Sequence, residues 1–425
     1  MPLNSAEIPD PGPEFENKIL HWLRSRPMAA VLNGNNYINY PEKPFRKRMA
    51  AGNTRIDCVE SWQNTLKNKP GDAWWFGYLG FELQGSQAGD ERPVFLDFPE
   101  WSFFEADAVF EWKDGNLVVH AAAPLQILEE INRQKPEINP VLSEVLPFRP
   151  FYTRENYLDA AERVRHLIRE GDVYELNLCQ YFESFSAPDG QYIYHKLNGR
   201  FPMPFSAWYK SEHLEIACAS PERFLKRQGN KIISQPIKGT ARRGATAAED
   251  RANRAALLNS EKERAENMMI VDLVRNDLAR VSKTGSTRVD ELFGIYAFPH
   301  VFQMISTVCS EPDEGVDNAG LLQSAFPMGS MTGAPKQEVL KQTMMLEPLR
   351  RGAYSGALGC FEPGTDFDFN VLIRSLFINH HLGRCGLAAG SAITIDSNPE
   401  EEWKECMAKA ASVLSVCGQT SGNLF

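Results

Sequence analysis

The sequence predicts an α+β fold built on large antiparallel sheets. Two observations carry this expectation. β-rich runs come in groups, as at 204–209, 214–220 and 231–235, and helical patterns fall between the groups instead of after each strand. That order argues against a doubly wound parallel sheet. Hydrophobic residues are 43% and charged residues 24% of the 425, the balance of a folded water-soluble chain.

Taken in order, residues 1–15 are acidic and proline-rich and read as a loose lead-in, not a signal peptide. Residues 15–23 read as a short amphipathic helix. Strand-like runs follow at 28–32, 74–79, 108–112 and 117–121, and 124–150 is interrupted by prolines like a connector. Thr153 caps a helix to about residue 170, since apolar residues recur at Tyr157, Ala161, Val164 and Leu167. Gly171 to Phe182 alternates like a strand. A charged stretch precedes a helix over 260–281, and strands are expected at 301–309, 356–361, 370–379 and 386–395. The last helix opens with Ser397, Asn398, Pro399 and three glutamates, a strong helix start.

A net charge of −10 argues against nucleic acid or an anionic membrane as partner. Eight scattered cysteines without metal spacing read as reduced and mostly buried, and no apolar run approaches membrane-spanning length. The expectation is a cytoplasmic protein.

Several segments carry chemistry. In Gln235-Pro-Ile-Lys-Gly-Thr-Ala-Arg-Arg-Gly the chain bends after a strand with Lys238 inside the bend. Lys238 is either part of a basic surface turn or a placed amine. Glu222 lies at a turn in Ser-Pro-Glu-Arg-Phe. Helix 260–281 carries Glu263 and Glu266; the last helix carries Glu402 and Glu405. Read singly, Ser260 and Glu263 form a capping box, and Glu405 with Lys409 an i,i+4 pair. Read together, carboxylates from two helices suit a hard cation such as Mg²⁺. Gly329-Ser-Met-Thr-Gly-Ala-Pro-Lys336 offers backbone N–H groups to an anion without the spacing of a nucleotide P-loop. Arg374, among apolar neighbours, is a paired core arginine or a carboxylate clamp.

In this order GDVYELNLCQYF, SPERFL, PIKGTARRG, EKERAENMMIVDLVRNDLARV, GSMTGAPK, RGAYSGALG, NVLIRSL and GLAAGSAITIDSNPEEEWKECMAKA resemble the chorismate-utilising enzymes, the family of anthranilate, aminodeoxychorismate, isochorismate and salicylate synthases. The resemblance covers about 147–417, and WFGYLGFEL extends it weakly toward the N-terminus. It implies an antiparallel β-sandwich with helices packed outside, as in anthranilate synthase component I. Residues 146–425 would form the catalytic region, with 1–145 contributing to the same sandwich. It also implies Mg²⁺ on Glu266 and Glu405, supported by Glu263 and Glu402. Tyr354, Arg374, Lys409 and the Gly390 backbone would face the enolpyruvyl carboxylate, with Thr240, Thr332 and Gly333 lining the pocket. Gln303 stands where many relatives carry histidine near the departing hydroxyl.

The lysine of PIKGT is the form of the para-aminobenzoate synthases; anthranilate synthases carry alanine there. The implied reaction is amination of chorismate at C4 by ammonia, giving 4-amino-4-deoxychorismate for folate synthesis. Lys238 would be the nucleophile, its pKa lowered by Mg²⁺, arginines and burial, and Glu222 the general acid/base. Arg242 and Arg243 would form a basic wall beside it. Ammonia would come from a separate glutamine amidotransferase subunit, because no Gly-x-Cys-x-Gly segment with a following His-x-Glu is present. The alternatives are an anthranilate synthase component I and a silent chorismate-binding subunit. The Leu-Leu-Glu-Ser signature of tryptophan-inhibited relatives is absent, so no strong tryptophan inhibition is expected.

Overall fold

The computed structural model describes residues 3–84, 90–135 and 145–419. Among these, two sheets organise the chain. The first has twelve strands in the order Asn4–Pro9, Asn116–Ala121, Ala108–Lys113, Arg48–Gly52, Met28–Asn33, Phe205–Ser211, Leu214–Ser220, Ser375–Asn379, Arg384–Ile393, Glu175–Ser184 and Gly333–Ala334, with Arg149–Pro150 beside Glu175–Ser184. The second has ten: Ile237–Arg242, Val301–Ser310, Lys231–Gln235, Arg223–Gln228, Phe367–Asn370, Ala357–Phe361, Trp75–Leu79, Trp101–Glu105 and Thr54–Ile56, with Arg288–Ala297 against Val301–Ser310. The strands pair antiparallel, as the grouping of runs predicts.

The sheets face each other across one apolar core. Ala30, Leu32, Tyr181 and Tyr209 of the first meet Phe76, Phe103, Leu225 and Leu358 of the second. The alternate residues Ala29 and Val31 face a second core under the helices Gly12–Arg24, Pro124–Asn132, Arg154–Glu170, Gly190–Arg200 and Pro399–Val416. Where both faces are covered, as at Met28–Asn33 and Arg48–Gly52, the strand is buried along its length and does not read as alternation. The helices Ala247–Asn259 and Glu261–Ala279 pack on Ile237–Arg242 and Val301–Ser310 of the other sheet.

Several expectations need correction. The lead-in contains a strand, Asn4–Pro9, paired in register with Asn116–Ala121. The connector contains the helix Pro124–Asn132, started by its own proline at the first helical position; residues 136–144 of it lie outside the described residues. The expected strand 370–379 is two strands, broken where Arg374 takes a left-handed φ of 53°. The charged stretch before residue 260 is itself the helix Ala247–Asn259.

The caps explain the helix starts. Thr153 accepts a hydrogen bond from the Asn156 N–H, and Asn398 from those of Glu400 and Glu401. Ser260 accepts from the Glu263 N–H, but the Ser260 N–H goes to Leu257 O and not to the Glu263 carboxylate. The reciprocal box lies one helix earlier, between Thr246 and Glu249. Glu263 is thereby left for another use.

Candidate active site

The site gathers around the strand Glu175–Ser184, at the end where Gly333 pairs with Leu176 and Gly390 with Cys179. Both glycines answer to crowding. A Cβ on Gly390 would stand 2.3 Å from Asn177 Oδ1, and one on Gly333 2.0 Å from Glu175 O. Gly333 also has a φ of 138°.

The Lys238 bend lies above this strand end. Pro236 separates Lys231–Gln235 from Ile237–Arg242, and the following Gly239 takes a φ of 97°. A Cβ there would lie 3.0 Å from Glu263 Oε2, so glycine lets the helix carboxylate approach the bend. Asn267 Nδ2 donates to Lys238 O at 3.4 Å and ties the bend to that helix. The Lys238 side chain is buried, and its Nζ donates to Glu175 Oε1 at 2.6 Å. The choice between surface turn and placed amine therefore falls on the amine. Burial lowers the Lys238 pKa, but Glu175, Glu266 and Glu405 outweigh burial and raise it above the ordinary lysine value. The expected lowering counted on Mg²⁺ as well as burial; the buried Glu175 carboxylate, which was not foreseen, acts the other way.

Glu222 is 5% exposed. Burial pushes its carboxyl up to about 7, against the Ser330 hydroxyl, the Ile237 backbone and the charges of Lys238 and Lys409. The Ser330 hydroxyl stands near it without closing a well-formed hydrogen bond. A carboxyl at this value is half protonated at neutral pH and can deliver a proton.

The two glutamate-bearing helices bring their acids to the same place. Burial pushes Glu266 up to about 7, with Glu263 and Glu175 adding to the rise. Glu263 is raised, first by burial and further by Glu405. Glu405 sits at the solvent-facing rim 2.7 Å from Lys409; burial works against its charge, yet the lysines around it hold its pKa below the ordinary value. Glu402 is buried and accepts hydrogen bonds from both Ser391 and Ser397, so its two oxygens are engaged in holding the helix start. Glu263 and Glu266, raised in pKa, are carboxylate oxygens short of positive charge, which fits a hard divalent cation, whereas Glu405 is already paired with Lys409. They do not close to single-ion spacing. Among the described residues, the triad that does is Glu42, Asp290 and Cys309, and there Lys231 already bridges the two acids.

The groups expected to meet an anion adjoin these acids through Lys409, which is paired with Glu405. Tyr354 is fully buried, its hydroxyl near the Cys179 thiol at 3.9 Å. Arg374 donates to Lys409 O and Ser412 Oγ, and neither acceptor is a carboxylate. Burial lowers its pKa, and among the described residues no carboxylate forms an ion pair with it. Lys409 Nζ donates to Gly390 O at 3.0 Å. Gln303 is buried with an unpartnered Oε1.

Three further side chains stand in the bend and in the 329–336 loop. Thr240 is exposed, opposite Gln303 in the sheet. The Thr332 hydroxyl is turned onto Met328 O and Gly329 O of its own loop. Arg243 is fastened to Asp250 through two bonds of 2.7 Å and is no part of a basic wall. Two open cavities, of about 500 Å³ beside His166 and Met345 and about 430 Å³ beside Trp62 and Trp101, are lined by none of the expected site residues.

Sequence reasoning missed Glu175, Asn177 and Ser330. Each is buried with one unpartnered polar atom: Glu175 Oε2, Asn177 Oδ1 and Ser330 Oγ. The signal was a carboxylate opening an apolar strand, since buried charge demands a partner.

A family model described as chorismate binding enzyme matches residues 33–415. The chain is 38% identical to aminodeoxychorismate synthase component 1 of Bacillus subtilis, over 61% of this chain and 55% of that one. It is 38% identical to the Escherichia coli protein of the same name, over 62% and 57%. It is 33% identical to anthranilate synthase component 1 of Methanothermobacter marburgensis, over 75% and 69%. The matches thus span about half the length of the aminodeoxychorismate synthases. In structure, the chain resembles the menaquinone-specific isochorismate synthase of Escherichia coli, with a TM-score of 0.79 and 17% identity over 99% and 95% of the two chains. Anthranilate synthase component I of Streptococcus pneumoniae gives 0.76 and 22% over 97% and 93%. At such identities these two likenesses speak for the fold alone, and the fold agrees with the sandwich expected from sequence.

Proposed function

The chain belongs to the chorismate-binding enzyme family, and from that membership we propose that it aminates chorismate at C4 with ammonia, giving 4-amino-4-deoxychorismate. One observation carries the reading. A buried lysine, Lys238, lies among Glu175, Glu222 and the carboxylates of two helices. In this reading residues 146–425 are the catalytic region, and 1–145 extend both sheets.

Arg374, Tyr354, Lys409 and the Gly390 backbone hold the enolpyruvyl carboxylate. The Lys238 amine adds at C2 while Glu222 protonates the departing C4 hydroxyl. Ammonia then adds at C4 and expels the lysine. Glu222 suits the acid role because burial keeps its proton available near neutrality. Gln303 orients the hydroxyl by hydrogen bonding; an amide supplies no proton. The resemblance to the chorismate-utilising enzymes implies Mg²⁺. Glu266 and Glu405 would hold the ion, with Glu263 and Glu402 in support; when bound, it neutralises the ring carboxylate of chorismate. Thr240, Thr332 and Gly333 line the pocket, the last two through their backbone.

The words component 1 in the names of the similar proteins support a partner component; we take it to be a glutamine amidotransferase that releases ammonia. The test uses purified protein with chorismate, Mg²⁺ and ammonium, the products being resolved by chromatography. Aminodeoxychorismate as main product is expected. Anthranilate as main product, or no turnover, contradicts the reading.

A further inference from the structure

We propose that Glu175 takes the proton of Lys238 and stores it while the lysine is covalently bound to the substrate. The proposal rests on the function proposed above and divides the acid–base work between two carboxyls. Glu175 touches the reacting nitrogen itself, at 2.6 Å. Glu222 acts at the hydroxyl.

The geometry separates this role from a plain structural ion pair. Glu175 is 0% exposed. One oxygen, Oε1, is engaged with Lys238. The other, Oε2, is buried with no partner, and buried carboxylates held for structure have their oxygens satisfied. The neighbours on the strand side, Asn177 Oδ1 and Ser330 Oγ, are equally unpartnered. The acids of the facing helices, Glu263, Glu266 and Glu405, and Glu222 beside the bend act on Lys238 through their charge; the hydrogen bond from its Nζ goes to Glu175.

The balance closes. The resting pair is ammonium and carboxylate. Transfer of one proton gives neutral Lys238 and protonated Glu175. The amine nitrogen bonds C2, both ring double bonds shift round the ring toward C4, and the C4 hydroxyl leaves as water with the proton of Glu222. Ammonia bonds C4, the C2–nitrogen bond breaks, and Lys238 departs as a neutral amine. The new C4 ammonium returns a proton to Glu222, and Glu175 returns its stored proton to Lys238. The net change is chorismate plus ammonia to aminodeoxychorismate plus water.

Glu175→Gln keeps shape and removes the proton store. In the full-length protein with chorismate, Mg²⁺ and ammonium, kcat should fall by about 100-fold or more, the scale of a lost acid–base group, with KM for chorismate nearly unchanged. Pulse acetylation of Lys238, read by peptide mass spectrometry near pH 7 without metal or substrate, supplies a second readout. With its carboxylate partner gone the amine is neutral at lower pH, so labelling should speed up several-fold while turnover collapses. Faster labelling reports only that Glu175 holds the proton on Lys238; the fall in kcat at unchanged KM separates proton storage from a merely structural ion pair, whose loss would disturb chorismate binding as well. Glu175→Asp retains a carboxylate and should recover part of kcat; it is the test variant if Glu175→Gln does not fold. Normal wild-type product with a Gln variant of near wild-type kcat, or with unchanged labelling, overturns the proposal alone. Absence of aminodeoxychorismate from the wild type overturns the functional reading and this proposal together.

Discussion

Glu222→Gln should make the protein more stable and nearly inactive, and its stability effect should depend on pH. Burial raises the Glu222 pKa from the ordinary 4.5 to about 7. The native state then holds this proton more tightly than the unfolded chain. Below pH 4.5 both states are protonated and the group contributes nothing. As pH rises from 4.5 to 7, the unfolded chain ionises freely while the native one resists, and native stability falls. Above pH 7 the full cost is present, about 3 kcal/mol for a displacement of this size. Surface screening does not reduce it greatly, since the side chain is 5% exposed. Gln removes that cost. Denaturant titrations at pH 5 and pH 8 should show the variant gaining on the wild type by up to about 3 kcal/mol between the two, while kcat drops about 10²- to 10⁴-fold. A stability difference that is the same at both pH values would refute the assignment of Glu222 as a strained buried acid.

Other expectations follow from the same geometry. Arg374→Ala should raise KM for chorismate about 10- to 100-fold, the loss of a charged hydrogen bond, with Arg374→Lys intermediate; steady-state kinetics decides, and an unchanged KM would remove Arg374 from the carboxylate site. Gly390→Ala forces Asn177 Oδ1 aside from a 2.3 Å approach and should cost about 1–3 kcal/mol of stability; a neutral effect in denaturant titration would mean the strand gives way freely. Mg²⁺ should stabilise the wild type by about 2–3 kcal/mol at a hundredfold excess over its dissociation constant and Glu266→Gln markedly less; equal metal effects in thermal unfolding would place the ion elsewhere.

Much of this was legible in sequence because the signals are local. The caps at Thr153 and Asn398, the Gly239 bend and the glutamates three residues apart are written within a few positions. What was not legible is the pairing of distant segments. Lys238 and Glu175 are 63 residues apart and meet only because the bend of one sheet lies above a strand end of the other. That meeting works against burial on the lysine pKa. Strand Arg48–Gly52 was missed because it is buried on both faces and shows no alternation. The strand Asn4–Pro9 was missed because it is largely exposed and gains its order from pairing with Asn116–Ala121. The break at Arg374 hides in an apolar run, since nothing in Asn-Val-Leu-Ile-Arg-Ser announces a left-handed arginine.

Lys238→Ala carries the central claim. Wild type and variant are incubated with chorismate, Mg²⁺ and ammonium, and the amino-chorismates are separated and identified by mass spectrometry. The account predicts aminodeoxychorismate from the wild type and none from the variant, with any residual product aminated at C2. Undiminished aminodeoxychorismate from Lys238→Ala would contradict it.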